Sequence, residues 1–564
     1  MIHNHEVPSS ILGPATKEAV RFTSNCLFSL FFFADTEKSL IFAAMKQIIS
    51  TIILLLFSIP AFSQDVVKLL EPAYADSAAV YRQSVYVPQK WSKSRVQLLI
   101  ERPLGATTVR VNGAEVGGDT AKFVPHVLNV TKHIVAGQRN TIEIKVAGHD
   151  ARGMLGSVEL RAQPRHLYIN KLTLHPKPYA AMVGIDVDLR GQSPDFSYYG
   201  MEIMVQHEYK DSAAIFLANE DIWANRMELD MGVPEQDRFW DEFQPNVYRI
   251  ALSVADDYRE MTFGMREAGV VDGQLFINRH PVYLRGAVID DYFPEWGRMP
   301  TDVPTWEKIF RRLESMGLNH VRFNGYCPTE AAFVAADKVG LYLQAEAASQ
   351  YELGRIADVY GHHPSLVLMS VGDSCYVWND GYIVPVRLNQ RVIYGSDMLQ
   401  YKMGIEQRLL NDSCGNFLLG GLCDCRGDFS GVLHARFSDK DAGFSATDFQ
   451  QFCRPIIPLA RFDKFSFTDS DTLRVPVVVY NAMYGHLQSV RTSYYLHTDS
   501  GQVVAGGLVA SGAIPLAPQN PVGEIVFPLD SVKAPCKLTL TLTVGAPSVR
   551  NHWDFEVAPD DSIK

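Results

Sequence analysis

Strand-like and helix-like patterns alternate along residues 273–346, and this alternation constrains the fold more than any other feature. A β-branched and aromatic run ends at Arg285–Gly286 and predicts a first strand, and a helix-period segment follows it. A second strand is predicted at 320–323, a helix opens near 328–330, and a third strand is predicted at 341–345. Strands that alternate with helices at roughly 25-residue spacing are typical of βα units in a parallel sheet or barrel.

Polar residues come just after these predicted strands. Asp290, Asn324 and Glu346 each stand at or beyond the end of one strand pattern. The C-terminal ends of parallel strands meet on one face of a βα barrel, and active sites are built on that face. The sequence therefore predicts a functional site there.

This region resembles the start of the barrel of glycoside hydrolase family 2, the β-galactosidase and β-glucuronidase family. The resemblance rests on several motifs in the same order. They are F-I-N-R-H-P-V-Y-L-R-G at 276–286, G-L-N-H-V-R-F at 317–323, C-P-T-E-A-A-F-V-A-A-D at 327–337, L-Y-L-Q-A-E at 341–346, and two upstream segments, 240–248 and 263–267, that match the join between sandwich and barrel.

The predicted architecture is a multidomain β plus α/β protein. Short strand patterns and an Asn112-Gly113 hairpin turn predict an all-β unit at the front, and strands return at the end of the chain. The family plan assigns these segments to a jelly-roll β-sandwich (65–162), an immunoglobulin-like β-sandwich (163–268), a shortened and possibly incomplete (β/α) barrel (269–460) and a C-terminal β-sandwich (461–564).

The resemblance implies a retaining β-glycosidase, which needs two carboxyl groups about 5 Å apart. In the family, the acid/base is the glutamate of a Gly-Asn-Glu motif after the fourth strand, and the nucleophile is a glutamate after the seventh. Here Asp373 stands in place of the asparagine and Ser374 in place of the glutamate. The next glutamate is Glu406, inside a predicted helix, and the interval from Gly372 to Tyr401 is too short for three further βα units. Both catalytic carboxylates are therefore predicted to be absent.

Five other residues are candidates for substrate binding. Arg322 resembles the family arginine that supports the nucleophile, with a surface or interface ion pair as the alternative. Asn324 is a candidate sugar contact. Glu346 is predicted to bind a sugar hydroxyl or to form a structural salt bridge. Asp290 and Asp424 follow strands and could line the cleft, with loop capping as the alternative for Asp290.

Residues 45–64 have the pattern of a secretory signal peptide: one lysine, an apolar core and a small-x-small site. We therefore expect export, with residues 1–44 upstream of the true start. The net charge of −11 is spread along the chain, which argues against a nucleic-acid partner. No long apolar run follows residue 64, so no membrane span is expected in the mature chain. No histidine motif with metal-ligand spacing is present in the sequence, so no metal is predicted. The family resemblance implies hydrolysis without a cofactor.

Three hypotheses remain open from the sequence. The first is a family 2-like protein that acts on or binds β-linked sugars and whose turnover is weak or lost. The second is a secreted, non-catalytic carbohydrate-binding protein on a degenerate glycosidase scaffold. The third is a decayed gene product that folds poorly because barrel strands are missing.

Overall fold

The computed structural model describes residues 65–69, 80–147, 153–192, 199–210, 214–234, 238–290, 293, 299–424, 431–440 and 445–560. The predicted signal peptide at 45–64 and the segment before it lie outside these residues. Among the helices described, none is both long enough and apolar enough to cross a membrane.

The first unit is a sandwich of two four-stranded antiparallel sheets that share one apolar core. Asn112 and Gly113 both have positive φ, as the predicted hairpin turn requires. The sheet orders are β1-β8-β3-β6 and β2-β7-β4-β5, with strands β1 Asp65–Lys68, β2 Val80–Tyr86, β3 Arg95–Pro103, β4 Thr107–Val111, β5 Ala114–Gly117, β6 His126–Asn129, β7 Arg139–Val146 and β8 Met154–Gln163, and a 3-10 helix at Gln89–Lys93.

The second unit is a sandwich of a three-stranded and a four-stranded antiparallel sheet around its own core. Alternate residues of its strands, such as Ile203 and Val205, point inward, which is the period-2 pattern of a half-buried strand. The orders are β13-β10-β9 and β12-β11-β14-β15, with β9 Tyr168–Lys177, β10 Met182–Arg190, β11 Gly200–His207, β12 Phe216–Asp221, β13 Arg226–Gly232, β14 Tyr248–Val254 and β15 Asp257–Phe263, and a 3-10 helix at Pro178–Ala180.

A small antiparallel sheet precedes the barrel, and it corrects one prediction. The run that ends at Arg285–Gly286 is not the first barrel strand; most of it forms β17 Gln274–Ile277 and β18 His280–Val282, which make a sheet with the preceding strand β16 Ala268–Val271. Asn278 and Arg279, both at positive φ, turn the chain between β17 and β18. The first barrel strand begins only at Arg285, because the hairpin uses the earlier residues.

Four parallel strands and three helices follow as βα units. One side of each strand packs on the helices; Val321 and Phe323 share a core with Trp306. Asp302 caps the first helix by accepting a hydrogen bond from the Thr305 amide. The elements are β19 Arg285–Asp290, α1 Val303–Ser315, β20 His320–Asn324, α2 Glu330–Val339, β21 Tyr342–Glu346, α3 Gln350–Tyr360 and β22 Leu366–Val371.

The rest of the sheet does not continue the βα pattern. After β22 the chain forms a hairpin of two strands, in which the first arm pairs antiparallel with β22 and the second arm pairs antiparallel with the first. Two short parallel strands add on the other side, beside β19. The order is β24-β23-β22-β21-β20-β19-β26-β25, a curled half barrel, with β23 Ser374–Asn379, β24 Tyr382–Val386, β25 Arg391–Ile393, α4 Met398–Asn411, β26 Phe417–Leu419 and α5 Ala446–Cys453.

The last unit is a sandwich of a three-stranded and a five-stranded sheet. The predicted fold class, β-sandwiches on either side of an incomplete barrel, is confirmed. The orders are β27-β29-β32 and β28-β34-β33-β30-β31, with β27 Ile456–Ala460, β28 Ser466–Thr468, β29 Thr472–Asn481, β30 Leu487–Thr498, β31 Val503–Ile514, β32 Ala517–Pro528, β33 Cys536–Val544 and β34 Ala546–Ala558, and a 3-10 helix at Leu529–Ser531.

Candidate functional site

The concave face of the half barrel carries a polar surface. Side chains alternate along a strand; since Val321 and Phe323 pack on the helices, Arg322 and Asn324 point to the concave side. In the register of β20 and β21, Arg322 lies opposite Gln344. Four parallel strands thus direct polar side chains toward one surface, which we call the concave site.

The floor of the concave site is apolar. One apolar cluster contains Tyr342, Leu368 and Val377 of the half barrel together with Leu275 and Ile277 of the small sheet. This cluster fills the N-terminal end of the curled sheet. Polar groups are therefore concentrated toward the C-terminal ends of the parallel strands.

Three buried polar atoms of the concave site have no hydrogen-bond partner among the described residues: Arg322 Nε, Gln344 Oε1 and Ser370 Oγ. Gln344 and Ser370 are each only 2% exposed. They lie on adjacent strands, and Ser370 pairs in register with Glu346. A buried polar atom without a partner destabilises a fold by about 1–3 kcal/mol. Such atoms commonly bind water or a ligand.

Carboxylate and amide groups line the C-terminal rim. Asp290 and Asn324 are exposed neighbours, and the Asn324 amide donates to the Asp290 carboxylate at 2.7 Å. Glu346 is half-buried at the end of β21. Because β20 lies between β19 and β21, the backbones that carry Asp290 and Glu346 are two strand spacings apart, roughly 9–10 Å.

The structure places Asp373 and Ser374 in a tight hairpin. Gly372 and Asp373 form the turn between β22 and β23, and Ser374 pairs with Val371. Alternation puts Ser374 on the same face as Tyr376 and Trp378. Trp378 donates its indole N–H to the Gly361 carbonyl beside α3, which marks this as the outer face. Ser374 therefore points away from the concave site.

Two further candidate carboxylates are engaged elsewhere. Asp424 is buried and pairs with Lys440 at 2.6 Å, while its Oδ1 also accepts the Gly431 amide at 3.1 Å. Glu406 is buried in α4, where Asn551 and Trp553 of β34 donate to its two oxygens at 2.7 and 2.8 Å. Both carboxylates hold segments of the chain together.

Parts of this chain are similar in sequence or in structure to known proteins. A family model for a domain of unknown function (DUF8488) matches residues 471–559. The β-galactosidase large subunit of Latilactobacillus sakei is 23% identical over 272 residues, which cover 45% of this chain and 42% of that protein. The β-D-mannosidase structure from Dictyoglomus thermophilum aligns with a TM-score of 0.62 at 13% identity, over 85% of this chain and 82% of that one. The β-glucuronidase structure from Bacteroides uniformis aligns with a TM-score of 0.53 at 13% identity, over 87% of this chain and 75% of that one.

The two structural alignments cover 87% and 85% of this chain. The sequence relative, a β-galactosidase, is a glycosidase like the two enzymes of known structure. The chain is a glycoside hydrolase family 2-like protein. Its match spans less than half of the Latilactobacillus sakei protein. Activity and substrate of this family 2-like chain are therefore addressed below as proposals.

Sequence reasoning missed part of the concave site of the family 2-like chain. Gln344 and Ser370 stand inside apolar strand patterns, where a single polar residue attracts no notice; only the strand register shows that both face inward. Tyr394 was missed as well. It directly follows β25, is 75% exposed, and its ring lies against the backbone of Gly420. An exposed aromatic at this end of the sheet can stack on the apolar face of a sugar.

His320 is a buried titratable group of the family 2-like half barrel. It is 0% exposed, and its Nδ1 lies 2.8 Å from the Tyr342 carbonyl, while Nε2 lies 3.3 Å from Gln390 Nε2. Burial lowers the pKa of His320 to about 4, below the ordinary 6.5. The imidazole is therefore neutral at pH 7, and its N–H donates to the carbonyl.

We expect His320 to make stability pH-dependent. Its folded pKa lies below its unfolded one, so its contribution is complete above pH 6.5 and is lost as the pH falls toward 4. Between pH 7 and 4.5 the loss should be about 2–3 kcal/mol. Urea unfolding at several pH values should show a shallower pH dependence for His320→Gln than for the parent, with His497→Gln as the control. Parallel curves for all three proteins would exclude this role for His320.

Proposed function

We propose that this family 2-like chain binds β-linked carbohydrate in the concave site and hydrolyses it weakly or not at all. The observation that carries the proposal is the set of unpartnered buried atoms on Arg322, Gln344 and Ser370. Sugar hydroxyls both donate and accept hydrogen bonds, so they match a surface that offers one cationic donor, one amide acceptor and one hydroxyl. The names of the similar proteins, β-galactosidase, β-mannosidase and β-glucuronidase, support carbohydrate as the ligand class.

The positions of the carboxylates support weak or absent turnover. A retaining glycosidase needs its two carboxyl groups about 5 Å apart. Asp290 and Glu346 come from strands separated by β20, and the Asp290 carboxylate already accepts a hydrogen bond from the Asn324 amide on β20. Ser374 faces outward, and Asp424 and Glu406 are held by other groups. We also propose that the protein is exported, on the signal-peptide pattern at 45–64.

Ligand binding should depend on Arg322. Titration calorimetry with methyl β-galactoside, β-glucuronide and β-mannoside, and with their oligosaccharides, is expected to identify a ligand. Removal of a charged hydrogen-bond donor by Arg322→Ala should weaken binding about 10- to 100-fold. Gln344→Leu removes the amide acceptor and should weaken binding by a smaller factor.

Arg474→Ala is the matched control, since Arg474 is an exposed arginine of the C-terminal sandwich. Equal affinity for the Arg322→Ala and Arg474→Ala proteins would contradict binding in the concave site. The second candidate function is hydrolysis, which the names of the relatives favour. Turnover of aryl β-glycosides that Glu346→Gln abolishes would establish it and replace the binding proposal.

A further inference from the structure

A second polar cluster lies on the opposite side of the sheet from the concave site. It comprises Glu330, the first residue of α2, and the adjacent pair His362 and His363 in the loop between α3 and β22. One potential ligand atom from each residue lies within 4.8 Å of the other two. The imidazole of His363 stacks against Phe333 of α2 at a ring-centroid distance of 5.5 Å, which places the cluster in the helical layer.

The environment of His363 is that of an oriented ligand. Its side chain is 1% exposed, and its Nδ1 lies 2.6 Å from Asp337 Oδ2. The Ser365 amide donates to the other Asp337 oxygen at 3.0 Å, so the carboxylate is itself fixed. A carboxylate that binds one ring nitrogen commonly orients a metal-ligating histidine.

The other ring nitrogen of His363 is the independent sign of a missing ligand. Nε2 is buried and has no hydrogen-bond partner among the residues described. One ring nitrogen of His363 lies within 4.8 Å of ligand atoms of His362 and Glu330. Because Nδ1 is directed at Asp337, Nε2 is the nitrogen of His363 that is left to bind an ion beside the second imidazole and the exposed carboxylate.

A nearby carboxylate adds negative charge around the cluster. Glu101, from the jelly-roll strand β3, has a raised pKa, chiefly because of burial, and the Glu330 carboxylate contributes to the rise. A cation held by Glu330 would lower this repulsion. The charge at the cluster therefore favours a cation over an anion.

We propose that Glu330, His362 and His363 bind one Zn²⁺ ion with a structural role. Two imidazoles, one carboxylate and a water form a four-coordinate zinc set, in which neighbouring ligand atoms lie about 3.4 Å apart given bonds of about 2.0–2.2 Å. The atoms must approach one another by up to about 1.4 Å, through rotation of the exposed Glu330 side chain and of the half-buried His362 ring. The ion would tie the α3–β22 loop to the start of α2, and the site is independent of carbohydrate binding.

The test is zinc binding by the full chain after treatment with a chelator. Titration calorimetry with Zn²⁺ alone should give one ion per chain, and saturating Zn²⁺ should raise Tm. His362→Ala and Glu330→Gln should each weaken binding by about tenfold or more while the apo proteins keep the parent's fold by circular dichroism. Bound Co²⁺ should give the intense visible absorption of a four-coordinate site.

His497→Ala, in the C-terminal sandwich, is the control and should leave zinc affinity unchanged. Two outcomes would overturn the proposal. One is no zinc binding by the parent protein, which would leave His363 and Asp337 as a structural pair. The other is binding that His362→Ala and Glu330→Gln weaken no more than His497→Ala does, which would assign the ion to scattered surface histidines.

Discussion

Replacing Arg285 with alanine should lower the free energy of unfolding by about 3–5 kcal/mol. Arg285 is 1% exposed, and its guanidinium pairs with Glu242 at 2.5 Å and donates to the Gly317 carbonyl at 3.0 Å. Glu242 also accepts from the Asn319 amide at 2.8 Å. The substitution leaves a buried carboxylate without its cation, where the second β-sandwich meets the first barrel strand.

Urea unfolding of the parent and variants measures this loss. Arg279→Ala is the matched control, because Arg279 is 68% exposed, pairs loosely with Glu267 and lies over the Tyr179 ring, so only about 1 kcal/mol should be lost. The double variant Arg285→Met/Glu242→Leu should recover part of the stability, since it leaves no unpaired charge. Equal losses for Arg285→Ala and Arg279→Ala would contradict the role of the buried pair.

Replacing Glu406 with alanine should have a comparable effect, about 3–5 kcal/mol. The carboxylate binds three groups at once: Lys402 in α4, and Asn551 and Trp553 in β34. Without it, a buried ammonium, an amide and an indole N–H all lose their acceptor. The contact also connects α4 to the segment that the domain of unknown function matches. In the Glu406→Ala variant, the half barrel and this segment should therefore unfold less cooperatively with each other.

Tryptophan fluorescence and circular dichroism during denaturation follow this effect, because Trp553 is next to the substituted residue. Glu524→Ala, which removes a surface carboxylate paired with Arg474 at 3.6 Å, should change stability by less than about 1 kcal/mol. A parent-like transition for Glu406→Ala would contradict the stabilising role of the buried carboxylate.

The second and third barrel strands could be predicted from sequence almost to the residue. The strands expected at 320–323 and 341–345 are His320–Asn324 and Tyr342–Glu346. Each is a short apolar run bounded by turns, and local pattern suffices to define it. The direction of β23 could not be predicted in this way, because Ser374–Asn379 would look the same in a parallel or an antiparallel strand. Only pairing with β22 decides which face Ser374 occupies.

The same limit applies to the candidate site. Asp290, Asn324 and Glu346 were found because they follow strands, and the structure places them along one rim. Gln344 was not found, because its inward direction depends on strand register. The pairing of Glu330 with the two histidines was not found either, because the fold brings together residues that the sequence separates by two helices and a strand.

The unclosed sheet also has a consequence for solubility. A closed barrel has no free edges, whereas this half barrel ends in β24 and β25 within the described residues. Exposed edge strands recruit other chains into intermolecular sheets. Here Pro385 presents no N–H on β24, and β25 is only three residues long. A proline on an edge strand and a very short edge strand both hinder edge-to-edge pairing of sheets. We therefore expect the open barrel to add little tendency to aggregate.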